Sequence, residues 1–549
     1  MAHVLFVSFF DEWCLGVRSM SQILKDKGHK ASIIYFRDID AMNDTEGLDD
    51  PDGFHNPPAS VHSRDVKILL SHLKTIQPSL VGFTFMSNFH GLAKFLTKKI
   101  QEEIPGLPIV WGGSDATVNT DLAADIADYV CQGEGEEAVV ELVEAITSKT
   151  STLDIPNIWT RRQDGHKRNP PRASEKDLDK YPFADFDMKD KWYLRGGRID
   201  EGIYPENSHL KTNYPTLTSR GCPYDCSFCC NSNYRDLYGP AHYVRRHSVD
   251  YVIRELKYRK ETFPKLQFVE FHDDVFTFKS PWLHEFSERY GEEIELPFFA
   301  YTHPQMCKEE DLRVLSKAGW ATTVMGVQSG SEEILQMYDR KMAGQRMIDT
   351  ARLLHEIGVQ LVVDLIGNNP MENEETMRQT FEMLLQFPKD FTLHEINPLA
   401  MYRNFEIARI AQERGLLGPY LHERNAALAD DKPEYHFWNA MWTLTQFGDI
   451  PRETLRSMAD DPYLRERPEI VENLAGGFVR ASYVPGTMVR KDRRLQDLEN
   501  QQQSLQGSRA FRWANRVRNA RSYVIGHLAI KNGNTNQPKR RTAQPAPSD

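Results

Sequence analysis

Two series of short β-rich runs, each followed by an amphipathic helical run, constrain the fold of this chain more than any other feature. In the first, HVLFVSFF (His3 to Phe10), ASIIYF, LVGFTF, IVWGG and DYVCQG alternate with helical patterns such as VRSMSQILKDKG, GLAKFLTKKIQEEI and GEEAVVELVEAI. Continuous apolar strands separated by helices predict a parallel sheet covered on both faces, an α/β fold of the doubly wound type. Ligands of such sheets sit at the carboxyl ends of the strands. Attention therefore falls on the segments DEWCLG, TFMSNF, GGSDAT and QGEGEE.

A second βα series starts near Tyr214, with strands expected at YPTLTS, LQFVEFHDD, FFAYTH, ATTVMGVQSG, VQLVVDLIG and FTLHEINPLA. About six such units predict all or part of a parallel barrel, with its chemistry at the strand C-termini. Between the two series, RNPPRASEKDLDKYPFADFD breaks the pattern and is read as a linker. The expected organisation is an α/β domain at 1–148, a linker at 149–210, a barrel at 211–404 and a helical region at 405–500. A basic amphipathic helix and disordered tail follow at 501–549, where Trp513, Val517, Ala520, Val524 and Leu528 form one helix face among arginines. That helix suits either a membrane surface or packing on the barrel.

A net charge of −11 argues against nucleic-acid binding by the chain as a whole. The N-terminal apolar run is short and lacks a basic leader, so it is read as a strand and not a signal peptide. Seven cysteines, an odd and low count for 549 residues, fit a reducing cytoplasm better than a secreted disulfide scaffold.

Four of those cysteines fall within nine positions, in TSRGCPYDCSFCC. Cys222, Cys226 and Cys229 form C-x3-C-x2-C directly after a strand, and Cys230 follows. Three thiolates on one tight loop leave one over in any disulfide pairing. Zinc would need a fourth ligand, which Cys230 supplies only on counting, because adjacent cysteines point in different directions. Iron–sulfur ligation fits better.

This loop, Phe228 before its last cysteine, and the βα barrel resemble the radical S-adenosylmethionine (SAM) superfamily. The resemblance implies a partial (β/α)6 barrel and a 4Fe–4S cluster held by Cys222, Cys226 and Cys229. SAM would bind the open iron and be cleaved reductively, with Phe228 packing on adenine and Cys230 a bystander that points away. FHDDVFTF is similar to a DD-x-F segment, which implies that Asp273 and Asp274 bind the SAM ammonium or the substrate; a helix-capping role is the alternative. VMGVQSGSEEIL resembles G-x-E-S-G, implying SAM contacts for Gln328, Ser329 and Gly330, with Gln328 standing where glutamate is usual. His303 lies where the family often has an arginine, and is otherwise a strand-end histidine. VDLIGNNPMENEET resembles the fifth-strand I-x-G-x-P-x-E segment.

The first domain is similar to flavodoxin-like cobalamin-binding domains, which stand before radical SAM barrels in a known family. Histidine-ligating members carry D-x-H-x-x-G; here Asp11 and Gly16 keep register, Leu15 precedes the glycine, and Trp13 replaces the histidine. An indole presents only an N–H donor, so no protein ligand to cobalt is expected, and Trp13 would lie under the corrin. The later loops add Thr84, Met86, Gly112, Gly113, Gly133 and Glu134 to the implied cobalamin contacts. The alternatives are a core tryptophan and a flavodoxin-like domain that binds nothing.

The resemblance implies a cobalamin-dependent methyltransferase that modifies an unactivated carbon of a small-molecule, lipid or peptide substrate. Flavodoxin or ferredoxin would serve as electron donor. A radical oxidative cyclase is the runner-up, and a non-catalytic corrinoid or redox sensor comes from a different class. Methylthiotransferases carry further N-terminal cluster cysteines, whereas this chain has two cysteines, Cys14 and Cys131, before the barrel.

Overall fold

The first strand, β1 (His3–Phe9), is buried along almost its whole length because both of its faces are covered by helices. The computed structural model describes residues 1–36, 48–49, 61–205, 208–340, 342–416, 426–427 and 432–482. The expected basic helix and tail at 501–549 lie outside them.

Around β1 run β2 (Lys30–Phe36), β3 (Leu80–Thr84), β4 (Ile109–Gly112) and β5 (Tyr129–Cys131), parallel and in the order β2-β1-β3-β4-β5. This is the expected doubly wound sheet. It does not end at residue 148, however. Two ribbons from the segment read as a linker extend both edges. β6 (Ile158–Arg162) and β7 (Gly165–Lys167) add antiparallel to β5. β8 (Lys191–Arg195) pairs parallel with β2 and antiparallel with β9 (Arg198–Glu201).

A buried polar knot anchors the second ribbon. Asp185 accepts from Lys191 Nζ at 2.6 Å and from the Ser21 hydroxyl at 2.6 Å, and pairs with Lys25 at 2.8 Å. Arg18, fully buried, donates to the Asp185 carbonyl at 2.9 Å. Residues 149–210 are thus largely part of the first domain.

The second sheet is an open arc of parallel strands in chain order: β10 (Asn213–Thr216), β11 (Phe268–Phe271), β12 (Phe298–Thr302), β13 (Trp320–Gln328), β14 (Gln360–Gly367) and β15 (Thr392–Leu393). The last expected strand breaks, and its second piece, β16 (Asn397–Pro398), pairs again with β14. Along these strands burial alternates with period two. Val269, Phe271, Phe298, Ala300, Met325, Val327, Val363 and Leu365 are buried in the core that includes the flanking helices. The residues between them, Glu270, Phe299, Tyr301, Val324 and Asp364, are half-buried on the inner face.

After 405 the described residues are mainly helical through Ser482, as expected, with a two-residue strand, Ala426–Ala427, paired with Met401–Tyr402. Its helix Pro433–Thr445 begins with proline in its first turn and buries Trp438 and Trp442; the Trp442 indole donates to the Met377 carbonyl at 3.0 Å. No described helix is long and apolar enough to cross a membrane.

Candidate active site

The cysteine loop leaves the barrel through a two-residue ribbon, Ser219–Arg220 paired with Arg245–Arg246. Gly221 turns the chain at φ +87°, and a Cβ there would stand 2.7 Å from the Tyr243 carbonyl oxygen. The loop is pinned by Ser227, whose amide and hydroxyl donate to the carbonyls of Tyr338 (3.1 Å) and Met337 (2.9 Å). It ends where Cys229 caps the helix Cys230–Tyr238, an N-terminus that favours a thiolate.

Cys222, Cys226 and Cys229 interact electrostatically with one another, and all three are free thiols. Burial pushes Cys222 up to about 12. Burial also raises Cys226, while the nearby Arg340 guanidinium, with Nη1 3.7 Å from its sulfur, pulls the other way. Among the described residues, no three His, Cys, Asp or Glu side chains stand close enough to hold one metal ion. Three free cysteine thiols on one loop are the donor set that three corners of an iron–sulfur cluster require, so the residues fit the cluster.

Cys230 packs beside Phe228 against the core of Tyr338, Met401 and Phe405, but it does not simply point away. Its thiol hydrogen-bonds to Cys229 and helps hold that sulfur as thiolate. Phe228 meets Tyr338 edge-on, with ring centroids 5.0 Å apart.

The expected SAM contacts divide into two groups. Asp273 is fully buried and accepts from the Thr218 amide (3.0 Å), the Thr218 hydroxyl (2.7 Å) and the Ser219 hydroxyl. Ser329 is engaged with Thr380 Oγ1 at 3.2 Å and with the Ser331 amide at 3.1 Å. A Cβ on Gly330 would come within 2.6 Å of the Thr380 Cα. These three hold the scaffold: Asp273 fastens the entrance to the cysteine loop, and Ser329 and Gly330 let the helix Glu374–Leu384 approach the end of β13.

Asp274, Gln328 and His303 instead face the open site. Asp274 is exposed, lies beside Cys222, Cys229 and Cys230, and is bonded by Asn231. Gln328, at φ +68°, donates from Nε2 to Asp364 at 3.0 Å and leaves its buried Oε1 without a partner. His303 stacks on Tyr224 at 3.8 Å between centroids, and burial and Arg340 push it down to about 2. It is therefore neutral. Its Nδ1 accepts from the Gln305 amide, so the proton sits on Nε2, a buried donor with no partner. Tyr224 Oη and Arg340 Nε are likewise buried and unpaired. Unpaired groups this close together mark a polar ligand. Sequence reasoning missed Arg340 and Tyr224, although Tyr224 lies inside the cysteine motif.

An unpaired acid lies near Tyr338. Both carboxylate oxygens of Glu372 are buried without partners, and burial raises its pKa to about 8. The folded protein then keeps a proton that the unfolded chain releases above about 4.5. Its contribution is favourable below that pH and is lost as pH rises toward 8. Glu372→Gln should raise the melting temperature at pH 8.5 by roughly 3 °C or more and leave it nearly unchanged at pH 5. Thermal unfolding at the two pH values checks this.

At the carboxyl ends of β1, β3, β4 and β5 lies a cavity of ≈ 400 Å³. Asp11, Leu15, Gly16, Thr84, Gly112, Gly113, Gly133 and Glu134 line it. Its walls depend on missing side chains: a Cβ on Gly82 would be 2.8 Å from the Phe6 ring, and one on Gly113 would be 2.8 Å from Thr84 Oγ1. Asp11 also ties its own loop, accepting from the amides of Trp13 (2.9 Å) and Cys14 (3.0 Å). Cys14 and Cys131 are buried, as expected. A glycine-walled cleft is the cradle that a bulky corrin and its tail require, and the residues fit cobalamin.

Three expectations change here. Met86 is 58% exposed and does not line the cavity. Glu134 lines it, but its carboxylate is committed to Arg245 and its amide already donates to Tyr238 Oη at 2.6 Å. Trp13 is not in the cavity wall; its ring packs 4.5 Å from that of His272 on the barrel. The position two residues after Asp11 is carried past the cleft toward the neighbouring strand ends.

The cavity and the cysteine loop share a wall. Tyr234, on the helix that starts at Cys230, lines the cavity with Ser219 and Arg220, and a Cβ on Gly133 would stand 2.0 Å from Tyr238 Oη. Arg220 donates to the buried Glu136 at 2.6 Å, tying the two domains together at that wall.

Residues 4–143 match the B12 binding domain family, and residues 216–384 match the Radical SAM superfamily. An uncharacterised methyltransferase from Pyrococcus horikoshii is 26% identical over 328 residues, 58% of this chain and 66% of that protein. The anaerobic magnesium-protoporphyrin IX monomethyl ester cyclase of Cereibacter sphaeroides is 23% identical over 343 residues, 59% of this chain and 52% of the cyclase. The chain thus spans between half and two thirds of the length of these relatives. Among solved structures, the radical SAM methyltransferase TsrM from Kitasatospora setae, with tryptophan and a SAM analogue bound, has the same fold. Its TM-score is 0.58 at 17% identity, over 76% of this chain and 77% of TsrM.

Proposed function

We propose, from the premise that this chain belongs to the radical SAM superfamily and carries a B12-binding domain, that it methylates an unactivated carbon. When bound, the cluster and SAM supply hydrogen abstraction from carbon, and cobalamin supplies the methyl group. The observation that carries the reading is the shared wall: the helix capped by Cys229 also closes the glycine-walled cavity through Tyr234 and Tyr238. A radical generator and a methyl donor would then face one substrate.

The residues have distinct tasks. Cys222, Cys226 and Cys229 would hold the cluster and leave one iron open to SAM. Asp274 and His303 Nε2 would orient SAM, and Tyr224 would keep His303 in place by stacking. Asp11, Leu15, Gly16 and the glycine turns at Gly112, Gly113 and Gly133 would hold cobalamin in the cavity, with Asp11 fixing its own loop through the Trp13 and Cys14 amides. Flavodoxin or ferredoxin would deliver the electron, and a cytoplasmic setting would keep the three thiols reduced.

Anaerobically reconstituted protein with cobalamin, SAM and reductant should form 5′-deoxyadenosine, and its product should be heavier than the substrate by one methylene. A product lighter by hydrogen atoms, or one gaining oxygen, would instead favour the cyclase-like reading. Absence of 5′-deoxyadenosine would leave a non-catalytic sensor.

A further inference from the structure

We infer that the inner face of the barrel recognises a cationic nitrogen next to an apolar or aromatic group, so that the methyl acceptor is an amine, an amidine or a guanidine. This deepens the methyl-transfer reading and rests on it. Two carboxylates, Glu270 on β11 and Asp364 on β14, project into the lumen, and Tyr301 lies within electrostatic reach of both. Their hydrogen-bond partners are Asn213 (2.6 Å) and His272 (3.4 Å) for Glu270, and Gln328 (3.0 Å) and His394 (3.3 Å) for Asp364. Among the described residues, neither carboxylate is paired with an arginine or lysine. Their ion-pair partners, His272 for Glu270 and His394 for Asp364, carry a charge only when protonated.

Aromatic faces stand around them. The His272 ring is 4.5 Å from Trp13, 5.8 Å from Phe299 and 5.9 Å from Tyr301, and Phe299 and Tyr301 meet edge-on at 4.8 Å. Carboxylates beside aromatic faces favour a cation and repel an acid or a phosphate. A wholly apolar lipid would leave both carboxylates desolvated and unpaired.

A separate observation shows that the lumen lacks a ligand group. Gln328, 7% exposed, spends its Nε2 on Asp364 and keeps Oε1 buried and unpaired. An N–H donor that reaches Asp364 would find that oxygen beside it. Trp13 packs on the His272 ring, so the aromatic faces extend to a residue of the first domain.

Three probes of one shape and different charge test the inference on the reconstituted holoprotein by ligand-observed NMR titration: phenethylamine, 2-phenylethanol and 3-phenylpropionate. The amine should bind at least about tenfold more tightly than the propionate, with the alcohol between them. Glu270→Gln and Asp364→Asn should each weaken the amine several-fold and leave the alcohol unchanged. Equal binding of the three, tighter binding of the propionate, or no binding of the amine at millimolar concentration overturns the inference. The wild-type ranking decides even where a variant fails to fold. The reading beneath it fails differently: missing 5′-deoxyadenosine or a product without added methylene sinks methyl transfer and leaves the charge ranking intact.

Discussion

Cys222→Ala, Cys226→Ala and Cys229→Ala should each abolish the visible cluster absorbance and the iron content of the anaerobically reconstituted protein, with 5′-deoxyadenosine formation falling below detection. Cys230→Ala should keep all three. Each of the first three would remove one of the three thiolates proposed to hold the cluster. Cys230 is different because its thiol donates to the Cys229 sulfur and is otherwise packed beside Phe228. Its loss removes one weak hydrogen bond to a ligand, which shifts the cluster's reduction potential without releasing iron. Retention of cluster by the Cys226 variant, or its loss from the Cys230 variant, would show that the ligand set is drawn wrongly. A redox titration followed by electron paramagnetic resonance separates the small effect from the large ones.

The fold was legible wherever burial is periodic. Continuous apolar strands such as HVLFVSF and alternating ones such as FVEF announce which faces are covered, and both sheets follow from them. The segment after Lys149 was misread because its anchoring is polar. Asp185, Lys191 and Arg18 look like surface charge in sequence, and only the packed structure brings them into one buried knot. A local signal was nevertheless present. Gly196 and Gly197, at φ +54° and +75°, form the two-residue turn joining β8 and β9, and a Gly-Gly pair between β-rich runs is a hairpin signature.

In the site, motif residues were easier to find than to assign. Asp273 and Asp274 are adjacent and chemically identical, yet one is walled in by Thr218 and Ser219 while the other opens on the cysteines. Sequence gives the pair, and only strand geometry separates them. Glu270 and His272 were hidden for the opposite reason: half-buried polar residues on an inner barrel face read as ordinary alternation. Trp13 shows a further limit. Its register with a cobalt-ligating position is a statement about sequence, whereas the loop tied down by Asp11 carries the ring to His272.

Asp273→Ala should destabilise the apo protein by about 3–5 kcal/mol, because it leaves buried donors without their acceptor. The Thr218 amide, the Thr218 hydroxyl and the Ser219 hydroxyl all converge on that carboxylate. Behind them, Arg246 donates to Thr218 Oγ1 at 3.1 and 2.9 Å, and its guanidinium lies 3.6 Å from the centre of the Trp282 ring. Burial lowers the pKa of that arginine and the Asp273 carboxylate opposes the shift, so removing the carboxylate strands a buried cation. Thr218 and Ser219 lead directly into Gly221 and Cys222, and cluster yield should fall together with stability. Asp274→Ala should do the reverse: an unchanged unfolding midpoint and full cluster content, with weaker SAM binding by equilibrium dialysis. Chemical unfolding of the two apo variants, with dialysis of the reconstituted ones, reads both effects. Equal destabilisation by the two substitutions would erase the division between a scaffold carboxylate and a site carboxylate on which the SAM assignment depends.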